Sequence, residues 1–532
     1  MRELAKGNDR ELNKPIAMND TRDNTSANDQ GRLTGGSFRH IFKDMALYGT
    51  GDLVFKATSF FAIPIYTRFL TPGDYGVWSF VVTAVGLLGG VLILGGDSAF
   101  SLFFFEARTE TEKQRVTSTW FGFLFAWSVA VIVLCLPFVS VFSTWSFSTR
   151  DHAILFALAL MTAPLSLINA MCGQALRSQF QPRLFLALSV CSALLSIGFS
   201  LWGVVVLKLG LRGLMGGALL ASSLMLPVRL WTIRGLLRPI FSACLLRRLL
   251  AFGIPLVPSS LAYWVFGMSD RIVLGKLSTL DQVGLYTLAV QITGILTLIT
   301  GAWGQAWSPH AVKVYIEQPT AAPAFFGRAM TYILFGFGFL SVVFGTFAKE
   351  VLVVFSTPSF YPAASAIGPL GLGIVAYAST QVTATGISFA KKTTYFAVVS
   401  WIAALMNLGL NVLLIPKWGM MAACWTTTAS YLFLTVIYLV LSQKMWAVAY
   451  EKKRAYIIIG ATFSFTVFAS HLPELPLVFS LLMKTLYVAV FLGLVFASKA
   501  LDRREWHGIL AFIQHRKTMK PMASWACDRD SG

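Results

Sequence analysis

Charged side chains inside apolar stretches are the residues of this chain whose types suggest chemistry. An unpaired charge in hydrocarbon is costly, and such residues usually serve a function. We interpret Lys56 as the only basic residue deep within a predicted membrane span. It lies about twelve residues from the inner end of that span, which is near mid-membrane at roughly 1.5 Å per residue. Lys56 either binds an anionic group or pairs with Asp52, one helical turn earlier.

Two carboxylates, Asp52 and Asp97, are predicted to lie at similar depth in the first two spans, which run antiparallel. Carboxylates that share a buried site repel each other unless one of them binds a proton or a cation. The pair is therefore a candidate site for coupling to H⁺ or Na⁺. The alternative is a polar cluster that ties two helices together.

Asp270 and Arg271 are adjacent near the outer end of the seventh predicted span. Asp270 is a further candidate for ion coupling, and Arg271 is a candidate for binding an anionic group in an outward-facing state. The competing interpretation is a surface ion pair at the water boundary. Arg177, at the inner end of span four, either contacts an anionic group on entry or marks the cytoplasmic boundary.

Amide side chains also occur within the apolar runs, and four of them are predicted to line a polar cavity. They are Gln291, Gln305, Asn407 and Asn411. Hydrogen bonding between helices is the alternative role for each. No cluster of His, Cys or carboxylate residues has metal-binding or catalytic spacing, so neither a metal site nor a catalytic residue is predicted.

The composition predicts the elements that must position these residues. Of the 532 residues, 56% are hydrophobic and only 13% are charged, whereas about 25% charged residues is typical of soluble domains. The chain is therefore predicted to cross a membrane many times. The net charge of +19 is assigned to cytoplasmic loops and not to nucleic-acid binding. No GxxxxGK[ST] phosphate loop occurs, so ATP hydrolysis is not expected.

A membrane-crossing helix needs roughly 20 mostly apolar residues, and fourteen runs meet this requirement. They lie near 44–67, 77–104, 118–142, 152–176, 184–207, 213–236, 249–270, 284–308, 329–348, 363–388, 395–415, 418–442, 456–471 and 477–498. Most of the 43 Lys and Arg residues then fall on segments assigned to the cytoplasm, which predicts both termini inside. Pro255 and Pro258 should bend span seven.

An internal repeat sets the expected architecture. Residues 68–88 align without a gap to residues 276–296, and five positions are identical: Thr71, Gly76, Val82, Gly86 and Leu88 recur as Thr279, Gly284, Val290, Gly294 and Leu296. Six spans separate the copies, so both cross the membrane in the same direction, as in transporters with parallel repeats.

The predicted fold class is therefore an all-α integral membrane protein with two parallel six-helix lobes. The lobes are predicted at 44–240 and 241–445, followed by two further transmembrane helices at 446–500. Residues 1–43 are predicted to form a disordered cytoplasmic tail, and 501–532 a second cytoplasmic tail.

Five short stretches carry a resemblance to a known family: YTRFLTPGDYG at 66–76, GGDSA at 95–99, GIPLVPSS at 253–260, SDRIVLG at 269–275 and QAWSP at 305–309. In order and spacing the chain resembles the Wzx-type oligosaccharide-lipid flippases. These form the polysaccharide transporter branch of the multidrug/oligosaccharidyl-lipid/polysaccharide exporter (MOP) superfamily, whose multidrug (MATE) exporters have the same two-lobe design. Ser101 and Leu102 stand where family members often have an Arg.

The resemblance implies a cargo and a location. The cargo would be an oligosaccharide on undecaprenyl diphosphate, flipped across the bacterial plasma (inner) membrane by alternating access for surface or exopolysaccharide synthesis, including O-antigen and lipopolysaccharide. Lys56, Arg271 and Arg177 would then meet the diphosphate. Partners would be membrane lipid, a polysaccharide polymerase and chain-length proteins. No cofactor beyond a coupling ion is expected.

Two other functions stay open on the sequence alone. One is a MATE-like drug or metabolite exporter of the same fold. The other is a membrane polymerase or ligase acting on the same lipid, which would need a sizeable outer loop. The repeat and the short loops count against such an enzyme, so the chain is predicted not to be one.

Overall fold

The computed structural model describes residues 60–392, 394–473 and 476–498, and every regular element in these ranges is a helix. Lys56, Asp52 and both predicted tails lie outside them. The first half contains α1 (residues 60–69), α2 (Pro72–Ile93), α3 (Gly96–Glu106), α4 (Glu110–Cys135), α5 (Val139–Phe147), α6 (Ala153–Ser178), α7 (Pro182–Leu201) and α8 (Leu211–Thr232). The second half contains α9 (Ala243–Gly253), α10 (Val257–Leu277), α11 (Leu280–Glu317), α12 (Ala322–Thr346), α13 (Ala348–Phe355), α14 (Ala364–Thr383), α15 (Thr385–Phe389), α16 (Thr394–Met445), α17 (Lys452–Ala469) and α18 (Leu477–Ala497).

Ten helical segments in the described ranges are long and apolar enough to cross a membrane, or eleven when the bent pair α9–α10 counts as one span. Helix α16 has 52 residues and a kink at Gly419, where φ is 54°, so it contains the predicted spans eleven and twelve. Eleven spans become twelve when α16 counts as two. Adding α1 and the 18-residue α17 gives the fourteen predicted segments in order. The protein is an all-α, multi-pass membrane protein, as predicted.

The two repeat copies form the starts of α2 and α11. Thr71 Oγ1 caps α2 by accepting from the Asp74 amide at 3.1 Å, and Thr279 Oγ1 caps α11 by accepting from the Gln282 amide at 3.3 Å. An N-cap of this kind satisfies an otherwise unpaired amide and fixes where a helix begins. The equivalent caps therefore start equivalent helices.

The repeated helices also contact each other at equivalent positions. Thr287 Oγ1 donates to Ser79 Oγ at 2.7 Å, and these residues are 208 positions apart, which is the repeat offset. A Cβ added at Gly76 would lie 1.8 Å from the Leu280 carbonyl oxygen, and one added at Gly284 would lie 1.9 Å from that of Pro72. Equivalent residues meet in this way only on the axis that relates the copies. Both helices start at the same end, so the repeats are parallel, as predicted.

We call the end where Thr71 and Thr279 lie the outer end, because the charge pattern predicts that it faces away from the cytoplasm. One hydrophobic core joins both lobes here, and it includes Tyr75 and Phe80 from α2 and Ile292 from α11. At the inner end the main cores are separate. One core surrounds Trp120 of the first lobe and includes Leu249 of α9, and the other surrounds Phe326 of the second lobe with residues of α17 and α18.

Two breaks shape the inner half. Leu94 and Gly95 have φ of 48° and 67° and separate α2 from α3. The span formed by α9 and α10 bends by 42° at the segment that contains Pro255 and Pro258, as predicted for residues without a backbone donor. A Cβ at Gly95 would lie 2.2 Å from the Gly253 carbonyl oxygen, so these two breaks pack directly on each other.

Candidate functional site

Two cavities lie on either side of α1. The first-lobe cavity has a volume of about 360 Å³ and is enclosed by α1, α2, α6, α7 and α8. The second-lobe cavity has a volume of about 700 Å³ and is enclosed by α1, α10, α11, α14 and α16. Gln291 of α11 lines both cavities, and its Oε1 accepts a hydrogen bond from the Tyr75 hydroxyl at 3.0 Å. The cavities therefore meet where the two lobes meet.

The charged residues of the second-lobe cavity are Asp270 and Arg271. Asp270 Oδ1 accepts from the Arg271 amide at 2.9 Å and from its guanidinium Nη1 at 3.2 Å, while Oδ2 accepts from the Tyr286 hydroxyl. Three donors thus hold this carboxylate, of which only one is a charged side chain. Hydrogen bonding of this kind is what a buried charge requires.

The same pair was open to interpretation as a surface ion pair, and that interpretation is wrong. Asp270 is 3% exposed and Arg271 is 7% exposed. The physical reason is the length of α10, which continues to Leu277, whereas the predicted span ended at 270. The pair therefore lies well inside the helix.

Arg271 keeps part of its hydrogen-bonding capacity unused. Its Nη1 donates to the Gly267 carbonyl oxygen at 2.9 Å as well as to Asp270, and its guanidinium carbon lies 5.6 Å from the centre of the Tyr286 ring. Within the described residues, Nε and Nη2 make no hydrogen bond. A guanidinium carries five N–H donors, so Arg271 has donors left for an anion in the cavity.

Aromatic side chains and side chains with a hydroxyl group also line both cavities. Tyr66, Trp78, Thr162, Ser166, Ser196 and Ser200 line the first-lobe cavity. Phe60, Phe61, Phe266, Thr293, Thr427 and Tyr431 line the second-lobe cavity. An apolar surface with a few directed polar groups is typical of ligand sites.

Arg177 lies apart from both cavities, near the end of α6. Its Nε and Nη2 donate to Gln174 Oε1 at 3.0 and 2.6 Å, and it lies over the Phe185 ring. Gln174 Nε2 in turn donates to Ser101 Oγ at 2.6 Å. Arg177 thus belongs to a polar cluster at the inner half of the first lobe.

Arg229 is a buried cation within the predicted span 213–236. It is 6% exposed and donates to the Asn169 carbonyl at 2.9 Å and the Leu188 carbonyl at 3.3 Å. No ion pair with a carboxylate forms within the described part of the chain. The sequence feature that could have identified this buried cation was an Arg within a predicted span.

Asp97 and Gln305 occupy equivalent positions of the repeat and line neither cavity. Both are exposed, Asp97 in the first turn of α3 and Gln305 in the inner half of α11. Asp97 is therefore exposed, and because Asp52 lies outside the described residues, the coupling site that the two were predicted to share stays a prediction. Leu94 and Gly95 interrupt the helical periodicity between α2 and α3, so the face on which Asp97 lies does not follow from a uniform helix.

Asn407 and Asn411 are fully buried and line neither cavity. Asn411 Nδ2 donates to Asn407 Oδ1 at 3.0 Å, and Thr426 donates to Asn411 Oδ1 across the kink of α16. These amides tie the two halves of α16 together, so the alternative role applies and the cavity-lining expectation is wrong for both.

Lys484 corrects the expectation that Lys56 is the one basic residue within a span. It lies in α18, is 8% exposed, and pairs with Glu350 at 2.6 Å. The predicted span 477–498 already contained it.

With the fold and the cavities described, relatives place the chain in a family. Residues 41–314 match the model of the polysaccharide biosynthesis protein family. The chain belongs to this family. It is also 22% identical over 282 residues to an uncharacterised membrane protein of Methanocaldococcus jannaschii. That match covers 52% of this chain and 56% of the relative, so the chain spans about half the length of this relative.

Solved structures show the same fold. The lipid II flippase MurJ in an inward closed conformation superposes with a TM-score of 0.68 at 14% identity, covering 85% of this chain and 99% of that one. An inward-facing MATE multidrug transporter of the MOP superfamily gives 0.52 at 16% identity, covering 73% and 94%. A MOP superfamily transporter from Pyrococcus furiosus gives 0.51 at 15% identity, covering 76% and 95%. The chain therefore has the fold of this superfamily.

Proposed function

We propose that this protein flips an undecaprenyl-diphosphate-linked oligosaccharide from the inner to the outer leaflet of a bacterial plasma membrane. The observation that carries the proposal is Arg271, a buried cation with unused donors in the second-lobe cavity. The family supports a role in polysaccharide biosynthesis, and the likeness in fold to a lipid II flippase supports a lipid-linked cargo.

The physical task is to move a diphosphate and several sugars through hydrocarbon, where unpaired polar groups cost several kcal/mol. Nε and Nη2 of Arg271 offer charge-assisted hydrogen bonds to phosphate oxygens, which are stronger than neutral ones. The hydroxyls of Tyr66, Ser166 and Ser200 offer partners for sugar hydroxyls on the other side of Gln291. The polyprenyl tail remains in lipid.

Lys56 and Arg177 are the other cations of the proposal. In the sequence Lys56 stands four positions before Phe60, which lines the second-lobe cavity. Arg177 lies at the inner half of the first lobe, where a head group would enter. Alternating access then follows from the two lobes rocking against each other, which opens and closes the contact between α2 and α11.

Asp270 is the proposed coupling site for H⁺ or Na⁺. Its negative charge attracts the guanidinium of Arg271 at 3.2 Å. A bound proton or cation would weaken this attraction and free Arg271 for the diphosphate. Release of the ion would restore the pair and displace the cargo.

A MATE-like exporter of drugs or metabolites is the second candidate, and one observation favours it. The second-lobe cavity is lined largely by apolar and aromatic side chains, and its volume of about 700 Å³ falls within the roughly 300–1,000 Å³ typical of sites for small molecules. The two candidates predict different results in cells. A flippase should restore surface glycan, whereas an exporter should confer drug resistance.

Complementation tests the proposal. A bacterial strain that lacks its own flippase should regain surface glycan when it expresses this chain, as measured by glycan staining alongside immunoblots of the membrane fraction. Arg271→Gln should lower export roughly tenfold or more, because a charge-assisted hydrogen bond contributes about 1.5–3 kcal/mol. Arg212→Gln, at an exposed outer position, is the matched control and should export normally.

Absence of surface glycan with the protein present in the membrane would contradict the proposal. Drug resistance conferred by the same expression, with no glycan, would favour the exporter instead. Normal export from Arg271→Gln would remove the cationic site from the mechanism.

A further inference from the structure

A third cavity lies outside the two already described and shares no lining residue with them. We call it the outer cavity. It has a volume of about 890 Å³ and lies at the outer end between the second lobe and the last two helices. Its walls come from α13, α14, α16, α17 and α18, together with the end of α12. Neither the repeat nor the proposed transport route requires a cavity at this place.

A buried ion pair faces the outer cavity. Lys484 Nζ donates to both carboxylate oxygens of Glu350, at 2.6 and 2.7 Å, and Ser480 Oγ donates to the same carboxylate at 2.9 Å. Lys484 is 8% exposed and stands seven positions after the start of α18, or about 10 Å along the helix axis. A charge at this depth is expensive unless it serves structure or binding.

Two hydroxyls that line the same cavity have no partner. Oγ1 of Thr346 and Oγ1 of Thr466 make no hydrogen bond within the described part of the chain, and their residues are 2% and 4% exposed. Both residues border the outer cavity. Buried polar groups are nearly always hydrogen-bonded, so these two unpaired hydroxyls, on residues that border one cavity, are the donors that a rotation of the side chains would offer to a ligand there.

The charges and the surroundings select the occupant. Lys484 and the neighbouring Lys349 supply positive charge for a phosphate, whereas the carboxylate of Glu350, although paired with Lys484, attracts an ammonium group and repels a purely anionic group. Apolar side chains of Leu372, Trp425 and Leu472 complete the wall. Val478, Phe479 and Leu482 of α18 are 66%, 64% and 63% exposed, on the sides of the helix that face away from Ser480 and Lys484.

We propose that the outer cavity binds a glycerophospholipid of the outer leaflet with a zwitterionic phosphoethanolamine headgroup. The phosphate accepts from Lys484, Thr346 and Thr466, and the ammonium group donates to Glu350. The acyl chains leave along the apolar side of α18. The bound lipid joins the last two helices to the second lobe.

Native mass spectrometry of the purified full-length protein tests this site without any transport assay. The protein in mild detergent should retain phosphatidylethanolamine in preference to phosphatidylglycerol, and inorganic phosphate should not displace it. The double variant Thr346→Val with Thr466→Val should weaken retention roughly thirtyfold, because it removes two hydrogen bonds of about 1 kcal/mol each. Thr485→Val is the matched control, since Thr485 donates to its own helix at Leu481 and does not line the cavity.

A second variant keeps the test decisive if the double variant folds poorly. Glu350→Gln removes the negative charge and should shift the preference toward phosphatidylglycerol. Equal retention of the two lipids by the unmodified protein would overturn the proposal. So would an unchanged preference in Glu350→Gln, or displacement by inorganic phosphate alone.

Discussion

Arg271 and Asp270 are held unequally. Arg271 depends on the Gly267 carbonyl and on Asp270, whereas the carboxylate of Asp270 has two further donors, the Arg271 amide and the Tyr286 hydroxyl. Breaking a buried ion pair is costly when one partner is left alone. When the guanidinium of Arg271 leaves, the Asp270 carboxylate keeps its other two donors. Arg271 is therefore able to exchange Asp270 for a phosphate at a modest cost.

Tyr286→Phe tests this exchange. Without the hydroxyl, Asp270 depends on Arg271 more strongly, so export should fall severalfold with the protein amount unchanged. Asp270→Asn combined with Tyr286→Phe should be less impaired than the sum of the single changes, because residues in one hydrogen-bonded network are not additive. Surface glycan measured across the four variants of this cycle gives the coupling.

Tyr431→Phe is the control for that cycle. Tyr431 lines the same cavity and makes no hydrogen bond to Asp270. Additive effects of Asp270→Asn and Tyr286→Phe would show that the hydroxyl does not govern the pair.

Glu350 gives a prediction for pH. Burial raises the pKa of this carboxyl, but donation by Lys484 and Ser480 outweighs the effect, so the pKa lies below its ordinary value. A group with a lowered pKa stabilises the folded protein above its ordinary pKa and loses this contribution as the pH falls through the lowered value. The wild type should therefore melt at a higher temperature than Glu350→Gln at about pH 7, and the difference should shrink by about pH 3.5.

Thermal unfolding of the purified protein in detergent measures this difference, with Glu317→Gln as the control at an exposed ion pair. A melting difference that stays constant from neutral to acidic pH would contradict the assignment of a charged Glu350.

At the scale of elements, the contact between α2 and α11 depends on glycine. A Cβ at Gly76 or at Gly284 would fall within 2 Å of a backbone oxygen, and backbone cannot move aside as a flexible side chain can. Gly76→Ala and Gly284→Ala should each destabilise the protein by about 1–3 kcal/mol, the usual cost of overpacking. The amount of folded protein recovered from membranes, followed by its melting temperature, measures the effect.

Gly89→Ala and Gly294→Ala are the matched controls on the same two helices. No atom lies within 4 Å of a Cβ at either position, so these variants should fold normally. Equal recovery of all four variants would mean that the helices do not need this close approach.

The sequence was sufficient to predict the helices and their order, because each crossing requires a long apolar run. It was also sufficient for the parallel repeat, since the offset of 208 positions returns as the contact between Ser79 and Thr287. The bend near Pro255 and Pro258 followed from the missing backbone donors. These features depend on residues close in sequence or on a repeated pattern.

The face that each polar residue presents could not be predicted. Gln305 and Asn407 are both amides in apolar runs, yet Gln305 is exposed and Asn407 is fully buried. The orientation of a helix about its own axis depends on the helices against which it packs. It therefore could not be predicted from the sequence of that helix alone. Lys484 was visible within a predicted span, but its partner Glu350 is 134 positions away, and no local pattern joins the two.

At the scale of the whole molecule, the lobes are joined more closely at the outer end than at the inner end. One core crosses between them around Tyr75 and Ile292, whereas the cores around Trp120 and Phe326 are separate. Rocking of the lobes would open the outer end only if Ser79 and Thr287 part. That contact is therefore the element whose two arrangements alternating access requires.

A cross-link at this point should stop the cycle. Ser79→Cys with Thr287→Cys, in a background without the six native cysteines, replaces two oxygens that lie 2.7 Å apart. Oxidation should form a disulfide that holds the outer end closed, so surface glycan should stop accumulating, and a reductant should restore it. Each single cysteine variant should export normally under both conditions. Cross-linking measured by gel shift and export measured in the same cells decide the matter, because full export from fully cross-linked protein is incompatible with release through the outer end.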